Sequence, residues 1–208
     1  MRIRMMAGFA VCGAMVMAAG CKTNAVDKGA FKSAINDYYS ARQDCLWSSP
    51  MKFPAQADTS NEDQTKGFDA LTDAGMLTRA AAEKKRFLIG SKEVNNYDLS
   101  DKGRATWTAD PSQPGYGNFC FGHREVMSID TFTPSADANA TQYSVTYHYA
   151  VNGLPAWAST AEMKTGFPKL ATDTSGQQTA TATLVKSDKG WQVTSVQPAG
   201  TDSGTSGQ

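Results

Sequence analysis

The residues best suited to chemistry in this chain of 208 residues are four cysteines and two histidines. A cysteine can carry a lipid, form a disulfide, bind a metal or act as a nucleophile, and a histidine can transfer protons or bind a metal. The six residues are Cys12, Cys21, Cys45, Cys120, His123 and His148. No two cysteines have Cys-x-x-Cys spacing, and the histidines do not have the spacing of a metal-binding pair. The sequence therefore predicts no metal site, no cofactor and no thiol–disulfide catalysis.

Other catalytic patterns are also missing from the sequence. It contains no nucleophile elbow and no P-loop, and Gly115-Tyr116-Gly117 does not continue as a dinucleotide-binding fingerprint. We expect His148 at the surface, opposite an aromatic strand face, and Arg124 and Glu125, next to His123, to face solvent. The sequence thus predicts a protein that is not an enzyme and has no catalytic residue.

The N-terminal segment has the three-part layout of a secretory signal peptide. Arg2 and Arg4 give it a positive start, residues 5–16 are apolar and uncharged, and the small residues 18–20 follow. The apolar run is too short to span a bilayer comfortably, and it has no polar face at helical spacing. We therefore expect residues 1–20 to direct export and then to be removed.

The small residues stand directly before a cysteine, and Ala18-Ala19-Gly20-Cys21 resembles the lipobox of bacterial lipoproteins. The resemblance implies a diacylglycerol on the Cys21 thiol, cleavage before this residue, and a lipid anchor in the membrane. Lys22 stands where a retention signal for the inner membrane would be Asp, which implies an outer-membrane lipoprotein of the cell envelope that faces the periplasm. The alternative is an ordinary signal peptide with an Ala-x-Ala-like site, which would leave Cys21 as a plain thiol.

Two cysteines remain if Cys12 leaves with the signal peptide and Cys21 carries lipid. Cys45 and Cys120 can then pair in only one way, and an oxidising compartment favours the bond. The bond would close a loop of about 75 residues. In the chain-entropy model, closing such a loop stabilises the folded protein by at most roughly 4 kcal/mol. The alternative is two reduced, buried thiols.

The charge balance excludes one class of partner. Lys+Arg and Asp+Glu both number 20, so no basic surplus attracts nucleic acid. The mature chain would be slightly acidic, because removal of residues 1–20 takes away Arg2 and Arg4 but no acidic residue. The predicted partners are the membrane, through the anchor, and an envelope protein.

In the N-terminal half, apolar spacing predicts helices. The first begins after Asp27 as N-cap and ends near Trp47, with Cys45 in its last turn. The second follows Ser60 as cap and ends at Gly75. Residues 78–87 are compatible with a helix or with a turn that leads into a strand.

A second resemblance lies in the middle of the chain. Phe68-x-x-Leu71-x-x-x-Gly75-Met76-Leu77, followed by Tyr97-Asp98-Leu99-Ser100-x-x-Gly103-Arg104, resembles the end of a winged-helix unit. It implies a helix packed against a hairpin, with a tight turn at residues 101–103 between two short strands. An exported chain without excess positive charge does not meet DNA, so the resemblance implies a packing element only.

The C-terminal half is rich in strands. The clearest is residues 141–151, where Tyr143, Val145, Tyr147 and Tyr149 alternate with polar residues. Residues 118–132 form another candidate strand, residues 158–166 a short helix, and residues 179–186 and 191–196 a hairpin. The tail from residue 199 is rich in Gly, Ser and Thr and has no apolar anchor, so we expect it to be disordered.

These elements predict an α+β fold in which N-terminal helices are followed by an antiparallel sheet of four to five strands. One helix across a curved sheet is similar to cystatin-like and NTF2-like folds, and the disulfide would join that helix to the sheet. The predicted organisation is a signal peptide (1–20), a lipidated tether (21–26), a helical part with the helix-plus-hairpin element (27–110), a β-rich part (111–198) and a disordered tail (199–208).

Three functions follow as expectations. The first is a lipid-anchored envelope lipoprotein that binds a partner or maintains the envelope without catalysis. The second is an envelope hydrolase or transferase, which would need a concave pocket with His123 or a pair of carboxylates. The third is a carrier of a small ligand, which would need an open cavity between the helix and the tyrosine-lined sheet face.

Overall fold

The computed structural model describes residues 27–85, 91–135 and 141–198. The signal peptide, the lipidation site Cys21 and the tail from residue 199 lie outside these ranges and stay predictions. Among the described residues, no helix combines the length and the apolar character needed to cross a membrane.

The described chain contains five α-helices, a short 3-10 helix and twelve strands. The helices are α1 (Lys28–Ser40), α2 (Glu62–Asp73), α3 (Asp101–Thr106), α4 (Ala161–Gly166) and α5 (Pro168–Asp173), and the 3-10 helix spans Ala156–Ser159. The strands are β1 (Asp44–Cys45), β2 (Met51–Lys52), β3 (Ala55–Asp58), β4 (Leu77–Lys85), β5 (Ser91–Leu99), β6 (Thr108–Ala109), β7 (Tyr116–Asn118), β8 (Cys120–Phe121), β9 (His123–Pro134), β10 (Gln142–Asn152), β11 (Gln178–Ser187) and β12 (Gly190–Pro198).

The α+β class is confirmed, including a four-stranded antiparallel sheet in the order β12-β11-β10-β9, called the large sheet below. The predicted order of helices followed by one sheet is wrong. Helices α4 and α5 lie between β10 and β11, and the strands form four separate sheets. Two local signals begin these helices: the Thr160 side chain caps α4 by accepting from the Met163 N–H (3.2 Å), and Pro168 stands at the start of α5.

Helix α1 packs across one face of the large sheet. Asp27 caps it by accepting a hydrogen bond from the Gly29 N–H (2.8 Å), as predicted. Phe31, Ile35 and Tyr39, four residues apart, form its buried stripe. This stripe packs against the buried face of β10, and the two together form one hydrophobic core between the helix and the sheet. The four predicted β10 residues, Tyr143, Val145, Tyr147 and Tyr149, are buried, and Val151 at the end of the same strand is buried in a second core.

The first helix ends earlier than predicted. It stops at Ser40 and not near Trp47, and Cys45 lies in strand β1 and not in the last helical turn. The apolar stripe of α1 is complete at Tyr39, and the following residues leave the helix because β1 pairs with β8. The predicted disulfide between helix and sheet is therefore a disulfide between two strands.

The second core lies between helices α2 and α4 and the sheet β3-β5-β4, called the hairpin sheet below. Asn61, and not the predicted Ser60, caps α2 by accepting from the Gln64 N–H (3.2 Å). The predicted stop at Gly75 is confirmed, since this glycine has a φ of 74° directly after the C-cap. Phe68 packs on Tyr97 of β5, with ring centroids 4.9 Å apart.

The segment with the winged-helix resemblance contains a helix and a hairpin, but the hairpin is formed by β4 and β5. The predicted turn at residues 101–103 is wrong, because these residues begin helix α3. Ser100 caps α3 by accepting from the Gly103 N–H (2.9 Å), and Asp101 in the first turn favours a helix N-terminus. The relationship to winged-helix proteins itself stays a prediction.

Gly103 allows α3 to approach the hairpin sheet. A Cβ atom at this position would lie 1.9 Å from the carbonyl oxygen of Met76. Because that oxygen belongs to the backbone, Gly103→Ala must displace α3, and we expect a loss of about 2 kcal/mol of unfolding free energy. Denaturant unfolding measures the change, and Arg104→Ala, at an exposed position of the same helix, is the matched control with a change below about 0.5 kcal/mol. An equal loss in both variants would contradict the role of this contact.

Candidate binding groove

An open groove of about 540 Å³ lies beside the disulfide, and it is called the groove below. Strands β1, β6, β7 and β8, the start of β9 and helix α5 surround it. Its lining includes Cys45, Cys120 and Trp47, which are called the floor below. It also includes four charged residues, called the rim below: Asp44, Asp110, Arg124 and Lys169. The groove therefore combines an apolar surface with a few polar side chains, as ligand-binding sites do.

The disulfide holds the floor together. Cys45 of β1 and Cys120 of β8 stand directly opposite each other in the strand register and are bonded (S–S 2.05 Å). The Leu46 N–H donates to the carbonyl of Phe119 (3.0 Å), which continues the pairing beyond the bridge. The predicted pairing of the two cysteines is confirmed, and it joins the two sides of the groove.

Trp47 is held by the side chain of Asn118. The Asn118 Oδ1 accepts from the Trp47 N–H (3.3 Å), and its Nδ2 donates to the Trp47 carbonyl (2.7 Å). Neighbouring Gly117 permits close packing, since a Cβ there would lie 2.4 Å from both the Thr108 carbonyl oxygen and the Trp107 Nε1. The floor is therefore fixed by backbone and side-chain contacts within the protein itself.

The ion pair between Asp44 and Arg124 forms one end of the rim. Arg124 donates from Nε to Oδ2 of Asp44 (3.0 Å) and from Nη2 to Oδ1 (2.9 Å), a bidentate pair. The two side chains are only 18% and 13% exposed for Arg124 and Asp44. Burial alone lowers the pKa of Arg124, but the hydrogen bond and the charge of Asp44 outweigh it and raise the pKa above its usual value. The guanidinium also lies over the rings of Tyr149 (4.9 Å) and Tyr39 (5.6 Å).

A cluster of buried phenols lies under this ion pair. The hydroxyl groups of Tyr39 and Tyr147 are 2.6 Å apart. Burial raises the pKa of Tyr147, and the hydrogen bond between its hydroxyl group and that of Tyr39 adds to the effect. Burial also raises the pKa of Tyr149. With raised pKa values, Tyr147 and Tyr149 stay protonated at neutral pH, which suits them for hydrogen bonding and not for proton abstraction.

The raised pKa values predict unfolding at alkaline pH. A tyrosine whose pKa is higher in the folded than in the unfolded protein stabilises the fold fully below about pH 10, and this contribution is lost as pH rises above that value. We expect the unfolding free energy to fall by about 1.4 kcal/mol per pH unit for each such tyrosine. Denaturant unfolding at a series of pH values measures the slope, and Tyr147→Phe should make it shallower. An unchanged slope in this variant would contradict the assignment to Tyr147.

The other two charged residues of the rim, Asp110 and Lys169, each interact with a residue close to them in the sequence. Asp110 accepts from the hydroxyl and the N–H of Ser112 (both 2.7 Å), and these hydrogen bonds lower the pKa of Asp110. Lys169 forms an ion pair with Asp173 on the next turn of α5. The rim therefore carries two acidic and two basic side chains, and its formal charge is balanced.

Comparisons of the chain with protein-family models, curated proteins and solved structures found no match. The function of the groove is therefore inferred from the residues that line it.

Neither histidine is among the residues that line the groove. His123 is exposed near Gly153, and His148 hydrogen-bonds to the Thr179 hydroxyl (2.9 Å) on the outer face of the large sheet. No group of three potential metal ligands occurs in the part of the chain that the structure describes. Neither histidine therefore supplies a general base to the groove.

The sequence alone does not predict the ion pair between Asp44 and Arg124 in the groove. The prediction that Arg124 faces solvent is wrong, because its guanidinium is paired with the carboxylate of Asp44. Glu125, the next residue, is exposed as predicted and accepts from Asn152 Nδ2 (2.5 Å). Asp44 stands directly before Cys45, and Arg124 follows Cys120 by four residues, so the disulfide was the one signal that could have brought the pair together.

Proposed function

We propose that this chain is an exported, lipid-anchored protein of the cell envelope that binds a partner protein through the groove and is not an enzyme. The groove is the observation that carries the proposal. Its floor is apolar and is fixed by the disulfide and by the side chain of Asn118. Its balanced rim suits a segment of protein with little net charge.

The position of the groove beyond the C-terminal end of α1 supports this proposal. Helix α1 has 13 residues and is therefore about 20 Å long. Its N-terminal end is tied to β9, where Lys28 Nζ donates to the carbonyls of Ile129 (3.2 Å) and Asp130 (3.0 Å). Asp44 and the groove follow its C-terminal end. A lipid on Cys21 would thus tether the N-terminal end of α1 and leave the groove directed away from the bilayer.

The disulfide supports export, because such bonds persist mainly in oxidising compartments. Two further observations favour binding over catalysis: Tyr147 and Tyr149 have raised pKa values, and no histidine lines the groove.

The anchor is tested by Cys21→Ser in the full chain, expressed in a bacterial host with intact lipoprotein processing. The unmodified chain should be recovered in the membrane fraction, and its N-terminal peptide should carry the mass of acyl chains. The variant should be recovered in the soluble fraction or keep its signal peptide. Membrane association that is equal in both proteins, without added acyl mass, would overturn the lipid anchor.

The groove is tested by a photo-crosslinking residue at Ser48, an exposed groove position, in cells that produce the full chain. The matched control is Met127, which is 51% exposed and lies where Lys32 Nζ donates to its carbonyl (3.2 Å). We expect one adduct of defined mass from position 48 and none from position 127. The same adducts from both positions, or none from either, would contradict the groove as the binding surface.

A further inference from the structure

The outer edge of β4 is open for strand pairing. The hairpin sheet has the order β3-β5-β4, so in the described part of the chain no strand pairs with the far side of β4. The strand is nine residues long, and Thr78–Ala81 are all exposed. Proteins usually protect such an edge, since its free N–H and C=O groups readily pair with another strand.

Towards the C-terminal end of β4, like charges stand opposite each other in the pairing of β4 with β5. Glu83 stands directly opposite Glu93, and Lys84 stands opposite Lys92. Like charges at directly opposite positions destabilise a strand pair. Lys92 forms an ion pair with Asp58, but within the described ranges no ion pair involves Glu83 or Glu93. A cation brought next to Glu83 would relieve this repulsion.

The sequence of β4 supplies that cation in a symmetric position. It contains Thr78-Arg79-Ala80-Ala81-Ala82-Glu83-Lys84, in which Arg79 and Glu83 lie at equal distances from Ala81. We propose that β4 pairs antiparallel with β4 of a second copy of this chain, about a twofold axis at Ala81. Arg79 then stands opposite the partner's Glu83, and Glu83 opposite the partner's Arg79.

The register follows from the charges. Moving the axis to Ala80 places Glu83 opposite the partner's Leu77, and moving it to Ala82 places Arg79 opposite the partner's Lys85. Of these three axes, only the one at Ala81 places Arg79 and Glu83 of the two copies opposite each other, twice and on one face of the sheet. The alanines between them are small and allow close approach, and the strands would exchange roughly six to eight backbone hydrogen bonds.

Arg79 is available for this contact. It already donates from Nη1 to Asp69 Oδ1 (2.8 Å), which fixes its direction, yet its side chain is 47% exposed. A guanidinium has five N–H donors, so those that do not bind Asp69 can reach a second carboxylate. Pairing would join two hairpin sheets into one continuous sheet of six strands. It does not involve the groove, so the dimer and the proposed binding function can fail independently.

Site-specific crosslinking tests the register. In the full chain in its membrane, Ala81→Cys is treated with a bifunctional thiol reagent that spans about 5 Å, the Cβ separation of directly opposite residues. Thr78→Cys is the matched control on the same strand, because the two introduced cysteines would lie roughly 20 Å apart. We expect a covalent dimer from Ala81→Cys and none from Thr78→Cys or the unmodified chain. Absence of the Ala81 dimer, or equal dimers from both variants, would overturn the proposal.

Charge reversal tests the same contact without a risk to the fold. Glu83→Arg places arginine opposite the partner's Arg79 and removes the repulsion from Glu93, so the monomer should be at least as stable. Glu93→Arg removes the same repulsion but lies on β5, one strand away from the edge. Sedimentation of the detergent-solubilised protein should show at least a tenfold higher dimer dissociation constant for Glu83→Arg than for Glu93→Arg. Equal constants in the two variants would overturn the pairing of Arg79 with Glu83.

Discussion

Replacing Cys45 and Cys120 together by alanine should lower the unfolding free energy by up to about 4 kcal/mol. The bond closes a loop with a sequence separation of 75 residues, and loop closure restricts the unfolded chain. The bridge joins two strands of only two residues each, which have little pairing of their own. For a domain of this size, the loss corresponds to a melting temperature about 8–16 °C lower.

Thermal unfolding with and without a reducing agent separates the bond from the change in side chains. The reducing agent should lower the melting temperature of the unmodified chain and leave that of the double variant unchanged. Mass spectrometry of the alkylated native protein should find Cys45 and Cys120 labelled only after reduction. Labelling of both without reduction, or a double variant as stable as the unmodified chain, would contradict a stabilising disulfide.

The strands of the large sheet could be predicted because their sequence pattern is local. Tyr143, Val145, Tyr147 and Tyr149 alternate with polar residues, and a sheet with one covered face requires this period of two. The structure buries all four residues. The same logic located β11 and β12, whose turn contains Asp188 and Lys189 between short apolar alternations.

Strand β4 could not be assigned from the sequence alone, because its residues favour a helix. Alanine, glutamate, lysine and arginine are strong helix formers, and β4 contains all four types. It forms a strand because β5 pairs with it along its whole length and Leu77 is buried beneath α2. Tertiary pairing thus overrides local propensity.

Of the candidate site, only the disulfide could be predicted from the sequence, because it follows from the number of cysteines. Two cysteines left after export can form one bond, and this reasoning needs no knowledge of the fold. Trp47 and Asn118 contact each other across 71 positions, and Asp44 and Arg124 across 80. Such pairs depend on the register of β1 against β8, which no local pattern encodes.

Arg124→Ala should lower the unfolding free energy by about 3 kcal/mol. The substitution leaves the Asp44 carboxylate largely buried without its partner, and an unpaired charge in that environment is strongly destabilising. It also removes the cation from the rings of Tyr39 and Tyr149. Denaturant unfolding measures the change, and Arg42→Ala is the matched control.

Arg42 is a suitable control because it also lies over a tyrosine ring, that of Tyr38 at 3.8 Å, but is exposed and has no carboxylate partner within the described residues. Its replacement should cost about 0.5–1 kcal/mol. The double variant Asp44→Ala with Arg124→Ala should be more stable than Arg124→Ala alone, since no buried charge remains. If the double variant instead loses the sum of the two single changes, the pair is not coupled. Arg124 would then contribute to the groove by packing on the tyrosines and not by its charge.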